Sequence, residues 1–225
     1  MTCDSTATPV ALRVQVVQAM RTLHARGLNQ GTAGNVAVRC GVDQMLITPS
    51  GVPVDALTPE RVVPLGLDGS TVAASMRASS EWRMHSVILQ HRPEFNAVVH
   101  THSCYATALA CLGEAIPAFH YMVAAAGGTS IRCAPYALFG TQELADLALL
   151  ALHERKACLL GHHGMLACAG DLDQAVELAE VVESLCHQYW CVRQLREPVT
   201  LTPQQMQPVL DKFRTYGRQG QDKTA

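Results

Sequence analysis

Two histidines separated by one residue, His100 and His102, follow the apolar pair Val98-Val99. β-Branched residues favour strands, and side chains at positions i and i+2 of a strand point to the same side. Both imidazoles can therefore approach one point, and neutral imidazole is a common ligand of zinc. A His-x-His pair alone is a weak indication of a metal site, since histidines also occur in cores and on surfaces.

A second pair, His162 and His163, lies between two glycines after the apolar run 157–160. Such a run is typical of a short buried strand. Because adjacent residues of a strand face opposite sides, only one of these two histidines is expected to join His100 and His102. The chain thus offers a third imidazole for the same point.

A carboxylate, Glu81, follows Ser79 and Ser80 and precedes apolar residues at helical spacing. The pattern predicts a helix that begins with a serine cap. Two hydroxyls beside the free N–H groups of a helix start also make a suitable phosphate site. Capping needs only one serine, and a glutamate in the first turn is favourable beside the helix dipole, so a purely structural role stays open.

The composition argues against several classes of function. Of 225 residues, 16% are charged, the net charge is −2 and no basic block occurs, so nucleic acid is not expected as a partner. Nine cysteines without CxxC spacing indicate free thiols in a reducing cytoplasm. The first residues lack the pattern of a signal peptide. The uncharged stretch 115–131 is too short and interrupted for a membrane helix.

No linker, repeat or low-complexity segment divides the chain, so residues 1–225 are expected to form one domain. Periodicity predicts helices starting at Thr8-Pro9 and ending at Gly27, and over about 82–89, 103–112, 141–152, 171–196 and 203–213. Short strands are expected near 36–39, 45–48, 62–65, 98–102 and 157–160. Pro64 places the third of these strands at a sheet edge.

Seven segments in a consistent order carry a resemblance to a known family. They are GTAGNVAVR (31–39), ITPSG (47–51), SSEWR (79–83), VVHTH (98–102), HYMVAAAGG (120–128), APYALFGT (134–141) and LLGHHG (159–164). With them the chain resembles the class II, zinc-dependent sugar-phosphate aldolases from about residue 10 to about residue 217. The resemblance implies a three-layer α/β fold, in which helices flank a central mixed or antiparallel sheet.

The same resemblance implies roles for the candidate residues. His100, His102 and His163 would hold one zinc ion, and Glu81 would be a fourth ligand that can leave the metal and act as acid or base. Two tyrosines correspond to catalytic tyrosines, Tyr121 acting in the site of a neighbouring subunit and Tyr216 in a mobile C-terminal segment. The substrate phosphate would lie among Gly34, Asn35, Ser50, Gly51, Ser79 and Ser80, and Phe139 would line the aldehyde side.

The implied activity is the reversible cleavage of L-fuculose 1-phosphate, or a similar ketose 1-phosphate, to dihydroxyacetone phosphate and an aldehyde such as L-lactaldehyde. Zinc would stabilise the enediolate charge left by carbon–carbon cleavage, Tyr121 would help to remove the hydroxyl proton, and Glu81 would protonate the carbon. The resemblance further implies a homotetramer with active sites between subunits.

Three other functions stay open. A ribulose-phosphate 4-epimerase shares the fold and the histidines, although Glu81 favours an aldolase because the epimerases carry aspartate there. An aldolase for 5-deoxyribulose 1-phosphate or 5-methylthioribulose 1-phosphate would release the same ketone with a different aldehyde. A non-catalytic zinc-stabilised domain is the remote alternative, since closed zinc sites usually use cysteine and only Cys104 lies near the histidines.

Overall fold

The computed structural model describes residues 9–71 and 76–214. Its strands are β1 (Asn35–Arg39), β2 (Gln44–Ile47), β3 (Val63–Gly66), β4 (Ala97–Thr101), β5 (Arg132–Ala134), β6 (Ala157–Leu160) and β7 (Gly164–Ala169). In this part of the chain they form one sheet in the order β3-β2-β1-β4-β7-β6-β5. Neighbouring strands are antiparallel except for β5 and β6, which are parallel. The sheet is therefore mixed, as expected.

Helices cover both faces of this sheet. They are α1 (Pro9–Ala25), α2 (Trp82–His91), α3 (Cys104–Ala110), α4 (Gln142–Ala151), α5 (Leu172–Leu195) and α6 (Pro203–Phe213), with short 3₁₀ turns at Val54–Ala56, Pro59–Arg61 and Tyr121–Ala126. Residues of α1, α3 and α5 share one hydrophobic core with one sheet face, while α2 and α4 share a second core with the other face. The three-layer α/β architecture expected from the resemblance is confirmed.

The central strand β4 fixes the position of the site. All five of its residues are buried, because it has a neighbour on each side and a helix layer on each face. Its even-numbered residue Val98 belongs to the core under α2 and α4, whereas Ala97 and Val99 belong to the core under α1 and α5. His100, two residues after Val98, therefore faces the layer of α2 and α4.

Local signals account for most element ends. Thr141 and Asp171 accept hydrogen bonds from backbone N–H groups of the helices they precede, at 3.2 and 2.8 Å. Thr202 and Gln205 form a capping box at the start of α6. Strand β3, which contains Pro64, lies at the sheet edge. The helix predicted after Ser79 and Ser80 forms, but the expected serine cap is wrong.

Residue 81 is the N-cap of α2, and no side chain caps this helix through a hydrogen bond. Two strands, β5 and β7, are absent from the elements expected from the sequence. The expected starting cap at Thr8 and the tyrosine at position 216 both lie outside the described residues. None of the helices in residues 9–71 and 76–214 is long and apolar enough to cross a membrane.

A carboxylate of α5 caps α3, the helix that follows His102. Glu183 accepts hydrogen bonds from the Ser103 hydroxyl at 2.7 Å and from the N–H groups of Tyr105 and Ala106 at 2.9 Å. The two N–H donors belong to the free N-terminal groups of α3, which carry a partial positive charge. Glu183 thereby ties the segment after β4 to the long helix α5.

Replacing Glu183 by Ala is expected to lower the free energy of unfolding by about 2 kcal/mol, since three partly buried donors lose a charged acceptor. Urea unfolding of the variant measures this change. Glu177→Ala is the matched control, because Glu177 is an exposed glutamate on the same helix. Equal unfolding midpoints for the two variants would contradict the capping role.

Candidate active site and metal centre

Strand pairing brings Asn35 directly opposite His100. The two residues are partners in the antiparallel pair of β1 and β4, so their side chains lie on the same face of the sheet. Both are buried, with 5% of Asn35 and none of His100 exposed. The polar end of this face is therefore built from the last positions of β4 and the first position of β1.

Glu81 reaches this point from the loop before α2. Segment 77–79 pairs with segment 48–50, with Ser50 N donating to the Arg77 carbonyl at 2.9 Å and Ser79 N donating to the Thr48 carbonyl at 3.0 Å. The chain then enters α2, and Glu81 at the N-cap is 6% exposed. The carboxylate is thus held over the sheet face that carries His100.

Only His163, and not His162, lies with His100 and His102, as expected. The reason given for this expectation, alternation along a strand, is wrong. Both residues belong to the tight turn between β6 and β7, where the N–H of His163 donates to the Leu160 carbonyl at 3.0 Å. His162 has a left-handed backbone, with φ of 55°. The turn, and not strand alternation, separates the two rings.

Four side chains converge at this end of the sheet, and one ligand atom from each lies within 4.8 Å of the others. His100 Nε2 lies 2.9 Å from His102 Nε2 and 3.3 Å from Glu81 Oε2. His163 Nε2 lies 3.2 Å from Glu81 Oε1. Tetrahedral ligands at about 2.0 Å from a zinc ion are about 3.3 Å apart, so these spacings fit a single divalent cation.

A backbone carbonyl sets the tautomer of His100. Its Nδ1 lies 2.9 Å from the Met165 carbonyl oxygen, an acceptor that requires a proton on Nδ1. The neutral ring then presents the lone pair of Nε2 to the other three side chains. A carbonyl acceptor behind a histidine is the usual way in which proteins orient a metal-binding imidazole.

Glu81 is ionised in this cluster. Burial raises the pKa of its carboxyl, but the favourable electrostatic influence of the adjacent His100 and His163 imidazoles outweighs burial and holds the pKa well below its usual range. Its Oε1 atom is buried and has no hydrogen-bond partner among the described residues. A buried carboxylate oxygen without a donor, next to three imidazoles, suits a metal ion.

His102 leaves one side of the cluster open. It is an exposed residue, whereas His100 is fully buried. The N–H of His102 donates to Asn29 Oδ1 at 3.1 Å, which fixes the chain just after β4. A divalent ion held here would therefore be accessible to a small molecule, as a catalytic metal site requires.

The residues expected around a phosphate lie close together in the fold. Ser50 and Ser79 stand on the two paired segments next to Glu81, Gly51 and Ser80 follow them in the chain, and Gly34 precedes Asn35. Ser79 Oγ accepts the Glu81 N–H at 3.3 Å. Gly34 has φ of +73°, and a Cβ there would overlap the Asn29 amide, so a side chain is excluded at this position.

The two described aromatic candidates lie on the surface. Phe139 is 60% exposed and Tyr121 is 50% exposed. Tyr121 starts a 3₁₀ turn, and its ring packs against His120 with centroids 4.8 Å apart. Among residues 9–71 and 76–214, no hydrogen bond joins Tyr121 to the four clustered side chains.

Arg83 forms a hydrogen bond with the loop that carries Phe139 and Gly140. Its Nη1 donates to the Gly140 carbonyl at 3.3 Å, and its guanidinium lies 4.6 Å from the ring centroid of Trp82. Gly140 approaches so closely that a Cβ would lie 2.8 Å from the Ser80 carbonyl oxygen. The exposed Phe139 is therefore positioned directly beside the turn that carries Ser80 and Glu81.

Two residues missed in the sequence shape the cluster. A Cβ at Gly164 would overlap the Thr101 carbonyl oxygen and lie 3.1 Å from the His102 ring and 3.3 Å from the His100 ring. His85, fully buried on α2, lies against the amide of Asn35. In the sequence, Gly164 could have been found because it directly follows His163. His85 could have been found because it lies one helical turn after Glu81.

Lowering the pH is expected to destabilise the metal-free protein through His85. Burial, and then repulsion by His100, lower the pKa of His85 to about 3. Below about pH 6.5 the His85 side chain therefore binds a proton in the unfolded state but not in the folded state. The unfolding free energy falls with decreasing pH by up to about 1.4 kcal/mol per pH unit. Urea unfolding of chelated protein from pH 7 to 5 tests this.

His85→Gln is the comparison variant, because glutamine does not titrate. As the pH falls from 7 to 5, the unfolding free energy of the wild type is expected to decrease more than that of this variant. A difference that stays constant between pH 7 and 5 would contradict a buried neutral His85.

Comparison with known proteins finds a family and well-covered relatives. The model of the "Class II Aldolase and Adducin N-terminal domain" family matches residues 14–190. A 5-methylthioribulose-1-phosphate/5-deoxyribulose-1-phosphate aldolase of Rhodospirillum rubrum is 50% identical over 212 residues, covering 94% of this chain and 95% of the relative. The L-fuculose phosphate aldolase of Escherichia coli K12 is 48% identical over 204 residues, covering 90% and 94%.

Solved structures show the same fold. An L-fuculose 1-phosphate aldolase superposes with a TM-score of 0.87 at 36% identity, covering 94% of this chain and 98% of that one. The L-fuculose-1-phosphate aldolase of Thermus thermophilus gives a TM-score of 0.71 at 28% identity, covering 84% and 98%. The likeness to the first of these structures covers nearly the whole chain.

Proposed function

The chain belongs to the class II aldolase and adducin N-terminal domain family. From this premise we propose that it is a zinc-dependent enzyme that cleaves L-fuculose 1-phosphate or a similar ketose 1-phosphate. The products of this reversible reaction would be dihydroxyacetone phosphate and an aldehyde such as L-lactaldehyde. The relatives at 48 and 50% identity are aldolases, and the chain is an aldolase, a carbon–carbon lyase. The substrate and the metal are the proposed parts.

The cluster of Glu81, His100, His102 and His163 carries this proposal. Three imidazoles and one carboxylate within bonding range of one point suit zinc, although cobalt and manganese also accept such ligands. When bound there, a divalent cation supplies Lewis-acid polarisation of the ketone and hydroxyl oxygens, which favours cleavage of the adjacent carbon–carbon bond. The open side at His102 fits a catalytic site better than a closed structural one.

Glu81 is proposed as the acid and base. Its carboxylate is ionised, buried and next to the position of the metal. In the cleavage direction, Glu81 would take up the proton released by the substrate hydroxyl and give it to the carbon that becomes the CH₂OH carbon of dihydroxyacetone phosphate, and in the condensation direction it would remove the carbon-bound proton. A carboxylate that leaves the cluster frees a coordination position for the substrate oxygens.

The phosphate is proposed to lie beside the paired segments 48–50 and 77–79. Ser79 and Ser80 offer hydroxyls and Gly51 offers an unobstructed backbone, since no atom lies within 4 Å of a Cβ built there. Gly34 and Asn35 bring the start of β1 to the same place. Such hydroxyl and backbone N–H donors are the usual ligands of a phosphate group.

A homotetramer with active sites between subunits is also proposed. Tyr121 is half-exposed, and within the described part of the chain it forms no hydrogen bond with the four clustered side chains. We therefore propose that Tyr121 helps to remove the hydroxyl proton in the active site of a neighbouring copy. Tyr216 is proposed to contribute from the C-terminal segment, outside the described residues. One domain over residues 1–225 and a cytoplasmic location stay predictions.

One relative and an exposed apolar surface favour a second class of substrate, in which the aldehyde half is apolar. The relative at 50% identity acts on 5-methylthioribulose 1-phosphate and 5-deoxyribulose 1-phosphate by name. The loop beside Glu81 exposes Tyr136, Leu138 and Phe139, an apolar surface that suits an aldehyde with a methyl or methylthio end. These ketoses share the dihydroxyacetone phosphate half with L-fuculose 1-phosphate.

The substrate is tested by measuring kcat/KM for the three ketose 1-phosphates through dihydroxyacetone phosphate release, and epimerisation of L-ribulose 5-phosphate in parallel. The highest kcat/KM for L-fuculose 1-phosphate supports the proposal. A tenfold preference for 5-methylthioribulose 1-phosphate would assign the second class. Epimerisation without release of dihydroxyacetone phosphate from any ketose would overturn the aldolase assignment.

A further inference from the structure

His85 is a fully buried polar residue within the core between α2 and the sheet. None of its surface is exposed, and the residues around it on α2, Met84, Ile88 and Leu89, are apolar and buried. A leucine or phenylalanine would fill the same space without the cost of burying an imidazole, which leaves Nδ1 with no hydrogen-bond partner among the described residues. Its contact with Asn35 is therefore the feature to explain.

Two hydrogen bonds connect His85 to Glu81 through Asn35. His85 Nε2 contacts Asn35 Oδ1, and Asn35 Nδ2 donates to Glu81 Oε2 at 2.9 Å. The carboxylate can only accept, so the Asn35 amide must present its NH₂ group to Glu81. Its oxygen then faces His85, which must carry a proton on Nε2. Each bond fixes the direction of the next.

We propose that His85 is a positioning residue, which holds the Asn35 amide in the orientation that places the Glu81 carboxylate for proton transfer. The inference rests on the acid–base role proposed above for Glu81. Within residues 9–71 and 76–214 no hydrogen bond joins His85 to the four clustered ligands, so its effect on Glu81 passes through Asn35. Without its N–H, the Asn35 amide can rotate and turn its oxygen toward Glu81, which removes the donor and repels the carboxylate.

The neutral state of His85 suits this role. Burial, and then the charge of His100, lower its pKa to about 3, so the ring keeps one proton at every working pH. Its hydrogen-bond pattern therefore does not change while Glu81 gains and loses a proton. Residues behind a metal ligand typically contribute 10- to 100-fold in activity or metal affinity.

The test compares two substitutions at one position. His85→Gln keeps an N–H donor near the place of Nε2, whereas His85→Leu fills the space without a donor. We expect His85→Leu to lower kcat for dihydroxyacetone phosphate release by about 10- to 100-fold with KM within about twofold of wild type, and His85→Gln to restore most of kcat. His91→Leu, an exposed histidine at the end of the same helix, is the control and should match wild type.

A second measurement does not depend on activity. Competition with a chromophoric chelator gives the zinc affinity of each variant, and a loosened Glu81 is expected to weaken zinc binding by about tenfold in His85→Leu and not in His85→Gln or His91→Leu. Failure of wild-type protein to release dihydroxyacetone phosphate while this pattern of affinities holds would refute the proposed function and leave the positioning role intact.

The path through Asn35 is tested by a double-mutant cycle. If His85 acts through Asn35, His85→Leu costs nothing further in kcat or zinc affinity once Asn35 is replaced by Leu. If His85→Leu fails to fold, Asn35→Leu alone tests the path, because it removes the N–H donor to Glu81 and should lower kcat and zinc affinity by about tenfold or more. Additive losses, or a folded His85→Leu with wild-type kcat and zinc affinity, would overturn the proposal.

Discussion

Replacement of Glu81 by Gln is expected to lower kcat by about 10³-fold, within the 10²–10⁴ that a positioned acid–base group contributes. Glutamine has nearly the shape of glutamate, and it can still accept the Asn35 Nδ2 hydrogen bond through its carbonyl oxygen. It cannot exchange a proton with the substrate carbon. Steady-state release of dihydroxyacetone phosphate from L-fuculose 1-phosphate measures the loss.

The variant is informative only if it still binds its ligands. Zinc content near that of wild type, with inorganic phosphate affinity unchanged by calorimetry, would show that the loss of turnover is chemical. Glu177→Gln, an exposed glutamate on α5, is the matched control and should keep wild-type kcat. A Glu81→Gln enzyme with kcat within threefold of wild type would contradict the acid–base role.

Replacement of Gly164 by Ala is expected to disturb the metal cluster more than one methyl group suggests. The new Cβ would overlap the Thr101 carbonyl oxygen on the neighbouring strand and contact the rings of His100 and His102. A main-chain atom of the central strand cannot move aside cheaply, so overpacking should cost about 1–3 kcal/mol of unfolding free energy. Displaced rings should lower zinc affinity by tenfold or more.

Gly170→Ala is the matched control at the opposite end of the same strand. Gly170 follows β7, and no atom lies within 4 Å of a Cβ built there. Urea unfolding and chelator competition on both variants give the two quantities. A Gly164→Ala protein with the stability and zinc affinity of Gly170→Ala would show that the close approach of β7 to β4 does not shape the site.

Local sequence signals predicted the elements with strong periodicity or caps. The helices after Thr141 and Asp171 begin where their capping side chains accept hydrogen bonds, and α6 has the expected ends. Strand β5 has only three residues, Arg132–Ala134, and two of them are half-buried. It therefore has no alternation to detect, and its strand character comes from pairing with β6.

The site was accessible from the sequence only where its geometry is local. Strand alternation predicted that His100 and His102 point to one place, although β4 ends at Thr101, whereas His163 joins them through a turn, which the strand argument did not foresee. Ser79 and Ser80 suggested a cap, yet Ser79 N pairs with Thr48 and the helix starts later. The fold determines which of several local options forms.

Contacts between distant segments were beyond prediction from one sequence. The sequence does not single out His85, because its partner Asn35 lies 50 positions away in the chain. Gly164 matters because Thr101 stands beside it on the adjacent strand. Neither relation leaves a periodic or compositional signal, and both become visible only when strand order and register are known.

A metal ion bound by Glu81, His100, His102 and His163 is expected to be required for aldol cleavage. The most direct test is release of dihydroxyacetone phosphate from L-fuculose 1-phosphate, followed with a coupled reductase, before chelation, after chelation and after zinc is restored. We expect strong release, its loss on chelation with the fold retained by circular dichroism, and its recovery with about one zinc per chain. Release that continues unchanged in fully metal-free protein would contradict metal-dependent cleavage at this site.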